Sequence, residues 1–155
     1  MRAVAQRVSR ARVRVAGAIV AELQAGLLAL VGVAREDGEK DARALAEKLV
    51  HLRVFADGQG AMNRSLLETG GTLGVVSQFT LLGDCRKGRR PSWDGAAKPE
   101  HAEPLIDLVV AHARSLGVTV VTGVFRAEME LELTNAGPVT LILDTAQVFY
   151  ESPGP

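Results

Sequence analysis

The chain has 155 residues, 47% of them hydrophobic, and its 18 Lys and Arg residues balance its 18 Asp and Glu residues. This length is typical of a single domain with a substantial core, and a formal net charge of +0 excludes a strong overall attraction to phosphates, so any RNA contact must come from a local patch. The single cysteine, Cys85, excludes an internal disulfide, and the lack of a long apolar run or a basic leader predicts a cytoplasmic protein.

The first predicted elements are two strands. Residues 11–16 alternate arginine with apolar residues, which is the pattern of a strand with one buried and one solvated face. Gly17 marks the turn that follows. Residues 27–31 are continuously apolar, which predicts a strand buried on both faces.

A helix is predicted next, starting in the acidic segment 37–39, because negative side chains favour a helix N-terminus. The apolar stripe of this helix consists of Leu45, Leu49 and Leu52. Glycine-rich segments at residues 57–60 and 70–71 predict turns after it.

A second long helix is predicted before Gly117, which is a typical helix stop. Its apolar stripe consists of Leu105, Leu108, Val109, His112 and Leu116. Pro99 and Pro104 compete to mark its start, because proline is favoured in the first turn of a helix.

Two strands are predicted towards the end of the chain. Residues 128–133 alternate glutamate with apolar residues, so one face is solvated, and Arg12 and Arg14 can pair with these glutamates if the first and last strands are neighbours. Residues 139–143 are nearly continuously apolar and predict a strand buried on both faces.

These elements predict an α/β fold with a mixed β-sheet, a barrel-like or two-layer core and two long helices. We expect a single domain over residues 1–145. Residues 146–155, which end in two prolines separated by glycine, predict a flexible C-terminal tail.

Two polar runs, each at the end of an apolar strand, are not required by core packing. The first follows the apolar residues 74–76 and consists of Ser77, Gln78, Phe79 and Thr80. In the second, Gly137 tolerates almost any backbone angle, while Pro138 fixes its own angle and lacks an N–H. The bond between them can be cis at modest cost, and a tight turn of this kind can aim two backbone carbonyls into a pocket.

At these two runs the sequence resembles the D-aminoacyl-tRNA deacylases (the D-tyrosyl-tRNA deacylase family), which carry a Ser-Gln-x-x-Thr run and a Gly-cis-Pro run. The resemblance extends from Met1 to Leu143 and includes several further stretches. They are residues 6–8, 26–28, 62–63 and 87–92. The order and spacing of these motifs make the resemblance specific.

The resemblance implies hydrolysis of the ester bond of D-aminoacyl-tRNA, a chiral proofreading reaction that recycles mischarged tRNA. Action on glycine mischarged onto tRNA is expected as well. It also implies that residues 77–80 are the catalytic residues, that the terminal adenosine and the ester bind beside them, and that Ser77 and Gln78 shape the pocket.

The turn at Gly137 and Pro138 is where the resemblance implies chiral selection. A rigid turn that holds the amine and the ester makes an L side chain collide with it, whereas a D side chain points away and glycine is hard to exclude. The resemblance further implies a homodimer in which this turn enters the partner subunit's pocket, with Arg7 holding the turn and Met129 lining it.

Conventional catalytic groups are scarce, since none of the three histidines is tied to Ser77 or Thr80 by sequence. A Ser-His-Asp triad of Ser77, one histidine and Asp84 is disfavoured, because any chain of this size offers similar sets. One cysteine and no histidine pair at ligand spacing disfavour a metal site, and no cofactor is expected.

An aminoacyl ester is already activated, so positioning and an oxyanion hole can suffice for its hydrolysis. Backbone N–H groups near Gln78, Phe79 and Thr80 suit such a hole, and the ribose 2′-hydroxyl can assist the attack of water, which makes the reaction RNA-assisted. Thr80 is the best side-chain candidate for a nucleophile or for a group that orients water. Orientation is favoured over covalent catalysis, because no base activates its hydroxyl.

Four basic residues just after the first run predict the tRNA contact, because arginine and lysine bind phosphates. They are Arg86, Lys87, Arg89 and Arg90. The expected partners are the aminoacylated 3′ end of tRNA and a second copy of the chain, and neither a membrane nor DNA is expected.

Two alternatives stay open. One is an editing deacylase that acts mainly on achiral mischarged substrates. The other is a non-enzymatic tRNA-binding module that uses the same pocket, and it requires either a trans bond between Gly137 and Pro138 or a separation of the two polar runs.

Overall fold

The computed structural model describes residues 1–147. The strands in this part are β1 (Arg2–Val15), β2 (Ala18–Leu23), β3 (Gly26–Gly32), β4 (Phe55–Ala56), β5 (Met62–Arg64), β6 (Thr72–Ser77), β7 (Thr119–Thr122) and β8 (Glu130–Asp144). The helices are α1 (Glu39–His51), α2 (Leu66–Thr69) and α3 (Pro99–Ser115), and a 3₁₀ helix spans Phe79–Leu82. Most of the predicted tail, residues 148–155, lies outside the described residues.

The main sheet is mixed and is organised around the long strand β1. Along one edge β1 pairs antiparallel with β3 and then with β2, and along its other edge it pairs antiparallel with β8. Strands β3, β6 and β7 follow in parallel pairing. Since β2 comes back close to β6 and β7, the sheet curls into a nearly closed barrel. This confirms the predicted fold class.

Two apolar clusters form the core of the described part of the chain, one on each side of the sheet. The larger lies between the sheet and helices α1 and α3, and the smaller lies inside the curled sheet. Strand β3 contributes to both, because Leu27 faces the helices and Leu28 faces the barrel interior. The prediction that residues 27–31 are buried on both faces is therefore confirmed.

Both predicted long helices are present, and their boundaries follow from local chemistry. In α1, Glu39 and Asp41 lie in the first turn, where the helix dipole favours acidic side chains, and Leu45 and Leu49 are fully buried. Helix α3 begins at Pro99, so Pro104 lies inside the helix and does not mark its start. No helix in residues 1–147 is long and apolar enough to cross a membrane.

The predicted neighbours β1 and β8 do pair, but only one of the two predicted arginines binds a glutamate of β8. Arg14 Nε lies 3.4 Å from Glu132 Oε1. Arg12 instead binds Glu22 on β2, with Nε 2.8 Å from Oε1, although its register places it opposite both Glu22 on β2 and Glu132 on β8. Sequence alternation gave no information on which edge of β1 each arginine would use.

The prediction that residues 139–143 form a strand buried on both faces is wrong. Leu143 is buried, but Thr140 is exposed and the side chain of Ile142 is 76% exposed. The reason is topological, since β8 pairs with β1 as a side branch of the sheet and nothing in the described chain covers its outer face. An apolar strand therefore faces outwards.

A close backbone approach between β3 and β6 gives the first testable prediction. A Cβ on Gly26 would lie 2.0 Å from the Thr72 carbonyl oxygen. We expect Gly26→Ala to lower the free energy of unfolding by about 1–3 kcal/mol, because the strands must separate to admit the methyl group. Urea unfolding followed by circular dichroism measures this loss.

The matched control for this prediction is Gly58→Ala, since a Cβ at Gly58 would meet no atom within 4 Å. Its unfolding free energy is expected to stay within about 0.5 kcal/mol of that of the original chain. Equal destabilisation by the two substitutions would contradict the close approach at Gly26.

Candidate active site

The first polar run lies where β6 leaves the core. Val75 and Val76 are buried, Ser77 is half-buried, and the Gln78 N–H donates to the Val31 carbonyl oxygen at 2.7 Å, which ties the run to β3. Gly32 provides the space for this arrangement. A Cβ there would lie 2.4 Å from Leu82 Cδ2 and 2.8 Å from the Gln78 carbonyl oxygen. The backbone after β6 is therefore held by hydrogen bonding and by close packing.

A cavity of about 600 Å³ opens beside this run. Its walls come from β3, β6, the start of α3 and the connection between β7 and β8, and they are mostly apolar. The apolar lining includes Val31, Val33, Val76, Trp93, Ala97, Ala102, Ile106, Phe125, Met129 and Leu131. The polar lining consists of Ser77, Gln78, Thr80 and Arg126. A cavity with few convergent polar groups in apolar walls is typical of a small-ligand site.

The hydrogen bonds inside the polar run decide which groups a ligand can use. The side-chain amide of Gln78 donates to Thr80 Oγ1, at 2.5 Å, so this hydroxyl oxygen already accepts one hydrogen bond. The Gln78 N–H is occupied by Val31, which corrects the expectation that it belongs to an oxyanion hole. Within residues 1–147, the N–H groups of Phe79 and Thr80 have no acceptor, as expected for the first residues of a helix.

No histidine or carboxylate in the described chain lines the cavity. His101 Nε2 lies 2.8 Å from the Asp37 carbonyl oxygen, and His112 Nε2 lies 3.1 Å from Glu47 Oε1, so both are satisfied elsewhere. The disfavoured triad of Ser77, a histidine and Asp84 is not assembled. No cluster of three or more potential metal ligands occurs in residues 1–147.

An aromatic pair flanks the cavity. The rings of Phe79 and Trp93 meet edge to face with centroids 5.4 Å apart, and their side chains are 57% and 41% exposed. Trp93 packs over Gly83, where a Cβ would lie 2.6 Å from the indole ring. Exposed aromatic rings at the mouth of an apolar cavity offer flat surfaces to a ligand.

The second polar run forms an irregular turn within β8, where the pairing with β1 is interrupted. The Gly137–Pro138 bond is cis, as predicted. Arg7 Nε donates to the Ala136 carbonyl oxygen at 2.8 Å, and another of its nitrogens binds the Val54 carbonyl. Asn135 Oδ1 accepts the Val139 N–H at 2.8 Å. Side chains on both sides thus hold this turn in place.

The structure brings only part of the predicted set together within one chain. Residues 77–80 and Met129 surround the cavity, whereas Arg7, Gly137 and Pro138 do not line it. Gly137 and Pro138 are exposed on the surface of the chain. The two polar runs therefore belong to separate surfaces of the chain.

The basic segment forms a loop closed at its base by two backbone hydrogen bonds between Asp84 and Ser92, of 2.8 and 2.9 Å. Arg86 folds back onto Asp84, with Nε 2.9 Å from Oδ1 and a terminal nitrogen 2.6 Å from Oδ2. These bonds lower the pKa of Asp84 to about 2. One of the four predicted cations is therefore ion-paired within the chain, and the other three, Lys87, Arg89 and Arg90, are exposed.

Arg126 is a cavity residue that the sequence did not reveal. Its position is fixed by the turn between β7 and β8, and a lone arginine before an alternating strand carries no recognisable pattern. The same holds for Ala102 and Ile106, which lie on α3 and form part of the wall of the cavity.

Comparison with known proteins gives consistent matches over nearly the whole chain. The sequence model of the family described as "D-Tyr-tRNA(Tyr) deacylase" matches residues 4–144. A D-aminoacyl-tRNA deacylase of Anaeromyxobacter dehalogenans is 56% identical over 149 residues, which is 96% of this chain and 100% of that protein. One from Thermus aquaticus is 56% identical over 147 residues, covering 95% and 97%.

A solved structure has the same fold. That of the protein named c-Myc DNA Unwinding Element Binding Protein superposes with a TM-score of 0.88 at 33% sequence identity, covering 93% of this chain and 98% of the other.

The ion pair of the basic loop gives a prediction about pH. We expect the Asp84 carboxyl to titrate at about 2, and its pKa in Arg86→Ala to return towards the ordinary 3.8, because the arginine bonds stabilise the charged form. Since the pKa is lowered by folding, the ion pair persists above the ordinary value and is lost as the pH falls through about 2. Carboxyl-detected NMR measures both values.

The matched control is Arg43→Ala on α1, since Arg43 lies beside Glu39 and belongs to another surface. This variant should leave the titration of Asp84 unchanged. A pKa of Asp84 that does not respond to Arg86→Ala would show that the guanidinium is not its main partner.

Proposed function

The chain belongs to the D-Tyr-tRNA(Tyr) deacylase family and is a hydrolase of D-aminoacyl-tRNA, and we propose that it cleaves the ester in the cavity beside residues 77–80. The observation that carries this proposal is the concentration of polar groups at one side of an otherwise apolar cavity. Family membership sets aside the non-enzymatic alternative.

Hydrolysis at this site proceeds by positioning rather than by a side-chain base. Water adds to the ester carbonyl carbon, the bond from that carbon to the ribose oxygen breaks, and this oxygen takes up a proton. The N–H groups of Phe79 and Thr80 have no acceptor and suit the negative charge that develops on the carbonyl oxygen. The neighbouring 2′-hydroxyl of the ribose orients the water and relays its proton, since no histidine or carboxylate of the described chain lines the cavity.

Thr80 contributes by orientation. Its hydroxyl accepts the amide proton of Gln78 at 2.5 Å, which withdraws electron density from the oxygen and makes it a poorer nucleophile. The hydroxyl hydrogen of Thr80 remains free to donate to the substrate or to water. Gln78 in turn fixes the rotamer of Thr80, so the pair shapes the polar side of the cavity, and Ser77 borders it.

Chiral selection comes from the turn at Gly137 and Pro138 of a second copy. Within one protomer this turn does not line the cavity, so a turn that contacts the substrate must come from a partner. Arg7 of the same protomer holds the turn rigid, so the turn leaves no room for an L side chain. Met129 belongs to the protomer that provides the cavity and lines that cavity. Glycine has no side chain to collide and is hydrolysed as well.

The homodimer that this mechanism needs is compatible with the exposed apolar face of β8. Ile142, four residues after Pro138, is 76% exposed in the single chain, and burial against a partner would stabilise the pair. The turn and this face lie on the same strand, so one contact can serve both docking and selection.

The tRNA is held by the basic loop beside the cavity. Lys87, Arg89 and Arg90 are exposed and bind phosphates of the acceptor arm, whereas Arg86 is occupied by Asp84 and orders the loop. Because the patch is small, affinity falls only modestly with salt. A tRNA substrate places the enzyme in the cytoplasm.

The mechanism predicts that the rate depends more on the ribose 2′-hydroxyl of the substrate than on the hydroxyls of Thr80 and Ser77. A D-aminoacyl ester on a 2′-deoxyribose end is expected to react about 10²–10³-fold more slowly than the matched ribose ester, since a preorganised transition-state contact is lost. Thr80→Ala and Ser77→Ala should keep activity within about tenfold, because neither hydroxyl is a nucleophile. Single-turnover hydrolysis of both esters measures these rates.

Covalent catalysis would give the opposite pattern. Trapping of an acyl group on Thr80 by rapid quenching, together with normal turnover of the 2′-deoxy ester, would refute the positioning mechanism. The comparison of Thr80→Ala with Thr80→Ser shows whether the methyl group or the hydroxyl matters.

Mixed dimers test whether the site is shared. We expect Gly137→Val to abolish activity on all substrates without creating L-specificity. The reason is that a Cβ at Gly137 would lie 2.8 Å from the Arg7 guanidinium, so the larger side chain would distort the turn. Ala102→Trp should fill the cavity. A purified heterodimer of the two variants regains about half of the original activity, since one of its two sites combines an intact cavity with an intact turn.

The control heterodimer pairs Gly137→Val with a chain that carries both substitutions, and it should be inactive because no intact turn remains. Thermal unfolding of each variant verifies folding. Absence of rescue in the first heterodimer, or a monomer in sedimentation, would overturn the shared site.

A further inference from the structure

The connection between β7 and β8 holds a charged residue in a costly backbone conformation at the cavity. Residues 124–127 form a turn closed by the Ala127 N–H, which donates to the Val124 carbonyl oxygen at 3.2 Å. The third residue of this turn, Arg126, has φ = +63°. A residue with a side chain adopts such an angle at a cost of about 1 kcal/mol or more, so glycine would relax this position.

Arg126 is also the one charged residue among those of the described chain that line the cavity. The rest of the lining is apolar or consists of the uncharged Ser77, Gln78 and Thr80. Its side chain is exposed, and within residues 1–147 it makes no ion pair or hydrogen bond. Arg7 and Arg86 differ in this respect, because both bind groups of their own chain. The guanidinium of Arg126 is thus free for a ligand.

The chemistry of the substrate leaves one partner for this charge. At the 3′ end of an aminoacyl-tRNA the amine is cationic, the esterified carboxyl is neutral and the phosphodiesters are anionic. A guanidinium repels the amine and binds phosphate oxygens through two parallel N–H donors. The free amino acid that leaves has a carboxylate, but this group forms only after the ester is cleaved.

We propose that Arg126 binds the phosphodiester on the 5′ side of the terminal adenosine. This inference rests on the proposed function of the cavity. The contact fixes the orientation of the substrate, because Arg126 attracts the phosphate and repels the amine. Both forces favour the orientation in which the phosphate lies near Arg126 and the amine lies away from it. It also gives the enzyme a preference for nucleotide esters over simple esters of D-amino acids.

Two small substrates test the inference directly. One is D-alanine esterified to the 3′ oxygen of adenosine, and the other is the same ester with a methyl phosphodiester at the 5′ position. We expect the original chain to hydrolyse the phosphate-bearing ester with about tenfold higher kcat/KM, carried mainly by a lower KM, as a charged hydrogen-bonded contact typically gives. This preference should shrink as salt is added.

Substitutions at Arg126 distinguish the effect of its charge from the effect of its backbone conformation. Arg126→Gln and Arg126→Gly should both lose the preference for the phosphate, so that kcat/KM falls more on the phosphate-bearing ester than on the phosphate-free ester, and Arg126→Lys should keep part of the preference. Arg126→Gly should in addition raise the melting temperature, since glycine tolerates the positive φ. The charge-matched control is Arg43→Gln on α1, which should keep the full preference.

Each failure has a distinct meaning. Equal hydrolysis of the two esters by the original chain, inertness towards the phosphate-bearing ester, or a parallel loss on both esters in Arg126→Gln would overturn the role of Arg126. Inertness of the original chain towards D-aminoacyl-tRNA itself would overturn the proposed function instead.

Discussion

The pairing of β1 along both of its edges is the constraint on which the rest of the structure depends. One edge binds β3 and β2 and the other binds β8, so a single strand connects the two surfaces that carry the polar runs. Through β3, whose Val31 carbonyl accepts the Gln78 N–H, β1 supports the cavity. Through the side chain of Arg7 it holds the irregular turn of β8. A shift of register in β1 would move both at once.

The cavity gains its chemical character from what surrounds the polar groups. Apolar walls of low polarisability exclude competing water dipoles, so each N–H or hydroxyl acts more strongly there than it would at an open surface. Under the proposed function, this is how a site without a histidine or carboxylate in its described lining serves the hydrolysis of an activated ester. The demand on the protein is then accuracy of position, which the tie between Gln78 and β3 and the packing at Gly32 provide.

Sequence patterns predicted the strands and helices well where the period of the apolar residues reveals which face of the element is buried. Alternation in residues 11–16 and the helical stripe through Leu45 and Leu49 each reflect one buried face, and both are found. The failure at residues 139–143 has a clear origin, since an apolar strand looks the same whether its outer face is covered by the same chain or left open. Pattern alone carries no information about which surface covers it.

The site was predictable as motifs but not as a network. The run at 77–80 stood out because polar residues followed a buried strand, yet the occupied Gln78 N–H and the pairing of Arg86 with Asp84 depend on atoms brought together by folding. Arg126 was invisible for the same reason, because its importance lies in a backbone angle and in proximity to the cavity.

Gly32 illustrates what a site built from main-chain groups means for inherited variation. Every amino acid supplies an N–H, so exchanges of side chains within the run can be tolerated if the path of the backbone is kept. Gly32 has no side chain and does not line the cavity, yet a single methyl group there would displace the Gln78 carbonyl and Leu82. A survey of natural or random variants would therefore score this position, which has no side chain, as essential and would overlook side chains that line the cavity.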